Sequence, residues 1–243
     1  MESLSAAKIK YLSSLSSKKY RDVHGVFVVE GEKMVEEAMK SGFSVLEVYR
    51  RDEIGEKAMS RISSLSSPSP VLAVVRKPSD IDSASVPSKG LFLALDSIRD
   101  PGNLGTILRI ADWFGADGIF ASRDTVDIFN PKVVQASMGA IFRVKFHYCD
   151  LQAFGEAVLK SGGKLYGTFL DGLDIYSRPL DTGRKNPSAI VMGNESEGIS
   201  PSMSRLVTGR LYIPPYPKDN PGSESLNVAV ATAVTLAEFR RRS

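Results

Sequence analysis

The stretch Leu211-Tyr-Ile-Pro-Pro-Tyr-Pro-Lys-Asp-Asn-Pro-Gly-Ser-Glu-Ser-Leu-Asn-Val-Ala-Val-Ala-Thr-Ala-Val-Thr-Leu-Ala-Glu-Phe239 decides how the rest of the chain is read. Leu211 to Ile213 reads as the end of a strand. Pro214 to Ser225 then carries too much Pro, Gly and Asn for a helix. From Ser225 onward the sequence is helical and almost wholly apolar until Glu238. A helix that is apolar around most of its circumference is buried around most of it. Ala229, Ala231, Ala233 and Ala237 also allow close backbone approach. Ser225 and Asn227 stand at its entrance. The bland reading makes Ser225 an N-cap and Asn227 a first-turn residue. The alternative is a polar loop that feeds a buried helix and binds a ligand, and two further polar, glycine-bearing segments upstream favour it.

Working back from that stretch, Leu91-Phe-Leu-Ala-Leu95 and Ala189-Ile-Val-Met192 are continuous apolar runs, the pattern of strands buried on both faces. Helices are expected from Gly105 to about Phe114, from Pro131 to near Gly139 and from Leu151 to Lys160. Strands are expected at Gly118–Ala121, Phe142–Phe146 and Lys164–Phe169. Strand, loop, helix and strand repeat in that order, which predicts an α/β fold with a mainly parallel sheet covered on both faces. Trp113 and Phe114 read as core residues of their helix. The first 75 residues alternate on a smaller scale: helices at 4–20 and 32–40, strands at Phe27–Val29, Val45–Tyr49 and Val71–Val75. Arg76 to Lys89, with two prolines and four serines, reads as a linker. It divides the chain into a small α/β domain, residues 1–85, and a larger one, residues 86–243.

Composition narrows the chemistry. The 243 residues are 42% hydrophobic and 24% charged, as in an ordinary soluble globular protein. No apolar run nears the ~20 residues of a membrane span, and the N-terminus lacks an apolar signal core, so a cytoplasmic protein is expected. A single cysteine, Cys149, excludes internal disulfides and cysteine-rich metal sites, and two histidines, His24 and His147, argue against a histidine-based zinc site. A metal-free site is expected. Residues 1–25 carry Lys8, Lys10, Lys18, Lys19 and Arg21 against Glu2 and Asp22, an excess as large as the net charge of +3 of the whole chain. Such a segment is either a solvated helix face or a surface that tracks nucleic-acid phosphates.

Three polar loops follow apolar strands, at the end of an open α/β sheet where ligands bind. They hold Asn103, Gly105 and Arg109; Gly193, Asn194, Glu195 and Gly198; and Ser223, Ser225 and Asn227. Gly-x-Gly-x-x-Gly is absent, and Ile199-Ser200 stands where a P-loop needs Lys-Ser/Thr, so both common nucleotide fingerprints are rejected. Asp100-Pro-Gly-Asn-Leu-Gly-Thr-Ile-Leu-Arg109-Ile-Ala-Asp, Ile190-Val-Met-Gly-Asn-Glu195-Ser-Glu-Gly-Ile, and Ile213-Pro with Ser225-Leu-Asn-Val-Ala-Val-Ala resemble, in order, motifs 1, 2 and 3 of the SpoU (TrmH-like) family of SPOUT RNA ribose 2′-O-methyltransferases. Phe129-Asn-Pro-Lys-Val-Val-Gln-Ala-Ser137-Met-Gly-Ala resembles the segment between motifs 1 and 2. Lys18-Lys-Tyr-Arg and Phe27-Val-Val-Glu30-Gly resemble, more loosely, the substrate-binding domain often attached to this family. The resemblance covers about residues 90 to 240. The loop from Ile213 to Ser225 is longer than in the family's shorter members.

The resemblance implies a trefoil-knotted α/β domain, an obligate homodimer and S-adenosylmethionine as cofactor. It implies transfer of a methyl group to a ribose 2′-hydroxyl, of ribosomal RNA in preference to tRNA. A SPOUT protein that binds RNA without catalysis is the rival reading. Arg109, Asn103, Glu195, Ser225 and Asn227 are the implied catalytic set. Gly193, Asn194, Ile213 and Leu226 are the implied cofactor-binding positions, and Lys18, Lys19 and Arg21 are expected to meet RNA. The family assigns the motif 1 arginine as general base. A guanidinium with a pKa above ~12 suits phosphate binding and stabilisation of a developing alkoxide better.

Overall fold

The computed structural model describes residues 4–79, 81, 85–177, 179–217 and 225–242. In chain order its first elements are α1 (Ala6–Ser14), α2 (Lys18–His24), β1 (Val26–Glu30), α3 (Glu32–Lys40), β2 (Val45–Arg50), α4 (Arg51–Ile54), α5 (Glu56–Ile62) and β3 (Val71–Arg76). There follow β4 (Gly90–Leu95), α6 (Pro101–Trp113), β5 (Gly118–Ser122), α7 (Pro131–Ser137), a 3-10 turn (Ala140–Phe142), β6 (Phe146–Cys149) and α8 (Leu151–Lys160). The last are β7 (Lys164–Asp174), β8 (Pro187–Met192), α9 (Pro201–Leu206), β9 (Gly209–Tyr212) and α10 (Val228–Arg241). Two compact units divide the chain: Met1–Ser79 with Asp127–Arg143, and Asp80–Val126 with Val144–Ser243. The sequence break near residue 85 leaves residues 127–143 in the second part, whereas here they pack with the first.

In the first unit β3 lies between β1 and β2 and is antiparallel to both. Val26, Val28, Leu72 and Val74 pack with Ile9, Leu12 and Leu15 from the α1 end and with Met59 and Ile62 of α5. The alternate residues point to the other face. There Phe27 lies 4.7 Å from the ring of Phe129, and Phe43 lies 5.3 Å from Phe142. The segment 127–143 is thus part of this unit's core. It is also held by charge: Arg21 is 1% exposed, and its guanidinium donates to the Asp127 carboxylate at 2.7 Å and to the carbonyls of Leu15 and Ser16 at 2.9 and 2.7 Å. A second ion pair, Arg143 with Glu37, ties the end of the segment to α3.

This geometry corrects the expectation for Arg21. The α2 turn directs Lys18, Lys19 and Tyr20 outward and Arg21 inward, where its charge is matched by a carboxylate rather than offered to RNA. Lys18 stays exposed and pairs with Asp22 at 2.5 Å, while Lys19 lies 5.9 Å from the Tyr20 ring.

The second unit is a six-stranded sheet in the order β6-β5-β4-β8-β7-β9, with every pairing parallel. Phe92, Ala94, Leu165, Ala189 and Val191 face Leu151, Phe154 and Val158 of α8 and Met203 of α9. Residues of opposite parity face the other layer, where Tyr166 meets Phe239 of α10 at 5.1 Å. Both faces are covered, which is why β4 and β8 read as unbroken apolar runs. The strand order reverses between β4 and β8. Chain leaving β4 goes to β5 on one side, and chain arriving at β8 comes from β7 on the other.

Several local expectations shift. The helix expected over 4–20 is two helices, broken at Leu15–Ser17, with Ser17 at the cap position of α2. Residues 140–142 form a 3-10 turn, and the strand begins at Phe146 rather than Phe142. The periodicity of α4 and α5 is too short to register in sequence. Pro101 opens α6 with Asp100 as its cap, so Asn103 and Gly105 lie on the helix and not in the loop before it. Trp113 is 85% exposed. Leu104, Ile107, Leu108 and Ala111 form the buried stripe of α6, which leaves Thr106, Arg109 and Trp113 along the outer one.

Candidate active site

Because all six strands are parallel, their carboxyl ends share one edge, and the loops after β4 and β8 leave it side by side at the point of reversal. Leu95 and Met192 are in register, and the ladder is prolonged by Asp96 N–H to the Met192 carbonyl at 2.9 Å. The two loops are then stitched together. Ser200 N–H donates to the buried Asp96 carboxylate at 2.7 Å, and Asn194 Nδ2 donates to the Ser97 carbonyl at 2.7 Å. Ser97 adopts φ 62°, in the left-handed region, which aims that carbonyl at Asn194. The loop after β8 is closed by reciprocal main-chain bonds between Asn194 and Gly198, both 2.9 Å. A Cβ on Gly193 would collide with the backbone of Gly198 and Ile199, so only glycine fits there.

Residues from all three motifs meet at this edge. Asn227 Nδ2 donates to Asn103 Oδ1 at 2.9 Å, and Asn103 Nδ2 donates to Glu195 Oε1 at 2.9 Å. Glu195 also accepts from the main-chain N–H of Asp100 at 3.3 Å and of Arg99 at 3.4 Å. Each end of this relay is pinned to a helix start. Asp100 Oδ1 caps α6 by accepting Asn103 N–H at 2.8 Å, and Asn227 Oδ1 caps α10 by accepting from Ala229 and Val230 at 2.9 and 3.3 Å. An amide nitrogen carries two hydrogens, so Asn103 and Asn227 each keep one N–H for a ligand beside the Glu195 carboxylate. The relay can orient a hydroxyl or a phosphate oxygen without spending its internal bonds.

Asn103, Glu195, Asn227 and Asn194 are therefore brought together. Asn227 rather than Ser225 is the helix cap. Ser225 is exposed, with no hydrogen bond to another described residue, and lies outside the relay. Ser223 falls outside the described residues. Arg109 is two turns along α6 from Asn103, about 9 Å of helix rise, and its exposed side chain makes no ion pair or hydrogen bond with a described residue. The sequence reading missed Asp96 and Asp100. The Asp-Pro pair that caps α6 was legible as a helix start, whereas the contact of Asp96 with Ser200 spans too much chain to be read. Cys149 takes no part: burial pushes its thiol up to about 11, far from a nucleophile at neutral pH.

No hydrogen bond to another described residue engages the main chain of Gly193, Ile213 or Leu226, and the last two are only partly covered. Open main-chain donors and acceptors between apolar side chains fit a neutral purine and its ribose. The residues present thus suit the nucleoside part of S-adenosylmethionine.

Comparison with known proteins agrees with this arrangement. Residues 90–237 match the model of the SpoU rRNA Methylase family, and residues 6–74 match the MRM3-like substrate binding domain. The chain is 30% identical to the 23S rRNA (guanosine(2553)-2′-O)-methyltransferase RlmP of Bacillus subtilis, over 99% of this chain and 98% of that protein. Its fold superposes on a TrmH-family protein of Porphyromonas gingivalis with a TM-score of 0.88 at 37% identity, covering all of both chains. An rRNA methyltransferase of Sinorhizobium meliloti solved with AdoMet bound gives a TM-score of 0.86 at 30% identity, covering 100% of this chain and 97% of that one.

Proposed function

Because the chain belongs to the SpoU rRNA methylase family, we propose that it methylates a ribose 2′-hydroxyl of ribosomal RNA with S-adenosylmethionine. The observation that carries this reading is the Asn227–Asn103–Glu195 relay, which joins the three motifs at the carboxyl edge of the sheet. The cofactor supplies an electrophilic methyl group on its sulfonium. Gly193, Ile213 and Leu226 would hold its nucleoside through their main chain, with Asn194 keeping the loop closed. Asn103 and Asn227 would orient the attacking ribose, and Glu195 would fix Asn103 and accept a hydrogen bond from the hydroxyl. Arg109 would grip the adjacent phosphate and stabilise the alkoxide as it develops. Positioning of this kind is worth ~7–11 kcal/mol. The test is transfer of labelled methyl to ribosomal RNA taken from cells that lack the protein, with the product mapped as 2′-O-methyl. A protein that binds cofactor but modifies neither ribosomal RNA nor tRNA would favour the non-catalytic reading.

On the same reading, residues 1–85 form the RNA-binding domain and residues 86–243 the methyltransferase, with 127–143 lent to the first. The loops of motifs 2 and 3 thread a trefoil knot, and the protein works in the cytoplasm, where ribosomal RNA is assembled. Among the described residues no helix is long and apolar enough to cross a membrane. With Arg21 withdrawn, Lys18 and Lys19 remain the exposed cations of α2. Replacing both with glutamine should weaken RNA binding and lower the salt slope by up to about two phosphate contacts, leaving cofactor affinity unchanged. An unaltered slope would make α2 a solvated face.

A homodimer is part of the proposal. Val230 is half exposed on α10, and Ala231, Ala233, Val234 and Ala237 are only partly covered within one chain. An apolar helix face of this kind is buried by a second copy more readily than by water. Sedimentation at micromolar concentration should give twice the 26.4 kDa chain mass, and a stable monomer would count against it.

A further inference from the structure

The short helix α2 turns an aromatic ring to solvent, and no contact described above uses it. Successive residues of a helix are about 100° apart around its axis, and the buried Arg21 fixes which way α2 faces. Lys19 and Val23 then stand opposite Arg21, with Tyr20 on one flank and Asp22 on the other. The exposures follow that phase: Tyr20 is 43% and Val23 70% exposed, against 1% for Arg21. Residues three apart are neighbours on a helix surface, so Tyr20 and Val23 together give the outer face of α2 an apolar spot.

The ring stands on a stiff support. The Arg21 guanidinium ties α2 to the carbonyls of Leu15 and Ser16 and to the Asp127 carboxylate. Asp22 is held at both carboxylate oxygens, by Lys18 at 2.5 Å and by Lys77, just after β3, at 2.6 Å. A ring held rigidly in water loses little freedom on binding. The Tyr20 hydroxyl makes no hydrogen bond with a described residue. Charge indicates what covers the ring. Lys18, Lys19 and Lys77 bring three cations to this face against the single carboxylate of Asp22, and Lys19 Nζ lies 5.9 Å from the centre of the Tyr20 ring. That is the limit of cation–π contact, so the ammonium neighbours the ring without capping it. An uncovered aromatic beside an excess of cations suits single-stranded RNA, whose bases stack on the ring while its backbone brings the anion.

We propose that the outer face of α2 binds one unpaired RNA nucleotide, its base stacked on Tyr20 and its phosphate beside Lys19. The proposal rests on the reading of the protein as an RNA 2′-O-methyltransferase, and it adds to the charged contacts of α2 one that salt does not screen. Stacking on a tyrosine tolerates any base, so the helix selects unpaired strand and not sequence.

The test uses the full-length protein and a single-stranded oligoribonucleotide carrying 2-aminopurine, whose fluorescence is quenched on stacking. Wild type should bind and quench it, and the absence of a quench would overturn the proposal. Tyr20→Ala should weaken binding roughly 5- to 150-fold and reduce the quench. Phenylalanine should restore both, and leucine neither. The salt slope of binding separates the ring from its neighbours: Tyr20→Ala should leave it unchanged, whereas replacing Lys18 and Lys19 with glutamine should lower it. In methyl transfer to ribosomal RNA Tyr20→Ala should raise KM and leave kcat near wild type, with an unchanged urea midpoint as evidence of an intact fold. Binding by Tyr20→Ala within two-fold of wild type, or leucine that rescues as well as phenylalanine, would overturn the proposal. A salt slope that falls in Tyr20→Ala would also overturn it, since the ring would then serve only to place Lys19. If alanine instead shifts the sedimentation coefficient and leaves RNA affinity intact, the ring belongs to a contact between copies and the proposal fails. A wild type that binds and quenches the oligonucleotide but transfers no methyl group would defeat the enzymatic reading and leave the nucleotide site standing.

Discussion

Replacing Arg109 with alanine is expected to abolish methyl transfer and to leave S-adenosylmethionine affinity within a few-fold. The side chain projects from the outer stripe of α6, while the groups proposed to hold the cofactor are main-chain atoms after β8, after β9 and before α10. Loss of the guanidinium removes a charge from the attacking side and no contact from the donor side. Calorimetry with the cofactor and labelled-methyl transfer to ribosomal RNA separate the two. The substitution Arg109→Lys divides the possible roles further. Lysine loses its proton far more readily than a guanidinium, so it could act as a base, yet it has no planar fork with which to grip phosphate. If Arg109 orients and stabilises, lysine is nearly as inactive as alanine at every pH. Activity in the lysine variant that climbs with pH as the ammonium deprotonates would identify a general base.

The second large effect lies far from the chemistry. Arg21→Ala should cost about 3–5 kcal/mol of stability, the usual cost of leaving one member of a buried ion pair behind. Asp127 would keep a carboxylate with a side chain only 8% exposed and no counter-charge from α2, and the carbonyls of Leu15 and Ser16 would lose their shared donor. Urea unfolding measures the loss directly. The double variant Arg21→Met with Asp127→Leu should recover much of it, because removing both charges ends the mismatch. A loss under about 1 kcal/mol in Arg21→Ala would show that water reaches the pair and screens it.

The same residue marks where sequence reading stops. Lys18, Lys19 and Arg21 look alike on a line of text, and only the fold brings Asp127, 106 positions away, against one of them. The relay is a similar case. Asn103, Glu195 and Asn227 can each be nominated from their motifs. Their hydrogen bonds, across 92 and 124 positions, depend on two loops leaving adjacent parallel strands and a helix starting beside them. The sheet itself is more legible, because β4 and β8 are apolar at successive residues, a pattern that burial on both faces produces and a half-solvated strand does not. Trp113 misleads although the signal is present. Thr106, Arg109 and Trp113 recur at helical spacing, and a stripe that carries an arginine near its middle faces water. At the start of α10 only geometry decides between two capable residues, since Asn227 takes the capping role that Ser225 could have filled.

The chain's excursion through residues 127–143 changes what it means to take this protein apart. A cut at residue 88 looks like a clean separation between a binding module and an enzyme. It would instead strip the larger fragment's segment 127–143 of the partners it has in Phe27, Arg21 and Glu37. Ile128, Phe129, Val133 and Val134, all buried, would be left facing water on a fragment meant to be soluble. The nicked whole should hold together and the expressed fragment should aggregate. Grafting this binding module onto another enzyme, or exchanging it by recombination, would therefore have to move two separate stretches of gene at once. A module interlaced in this way is inherited with its enzyme, and the two can diverge only in step.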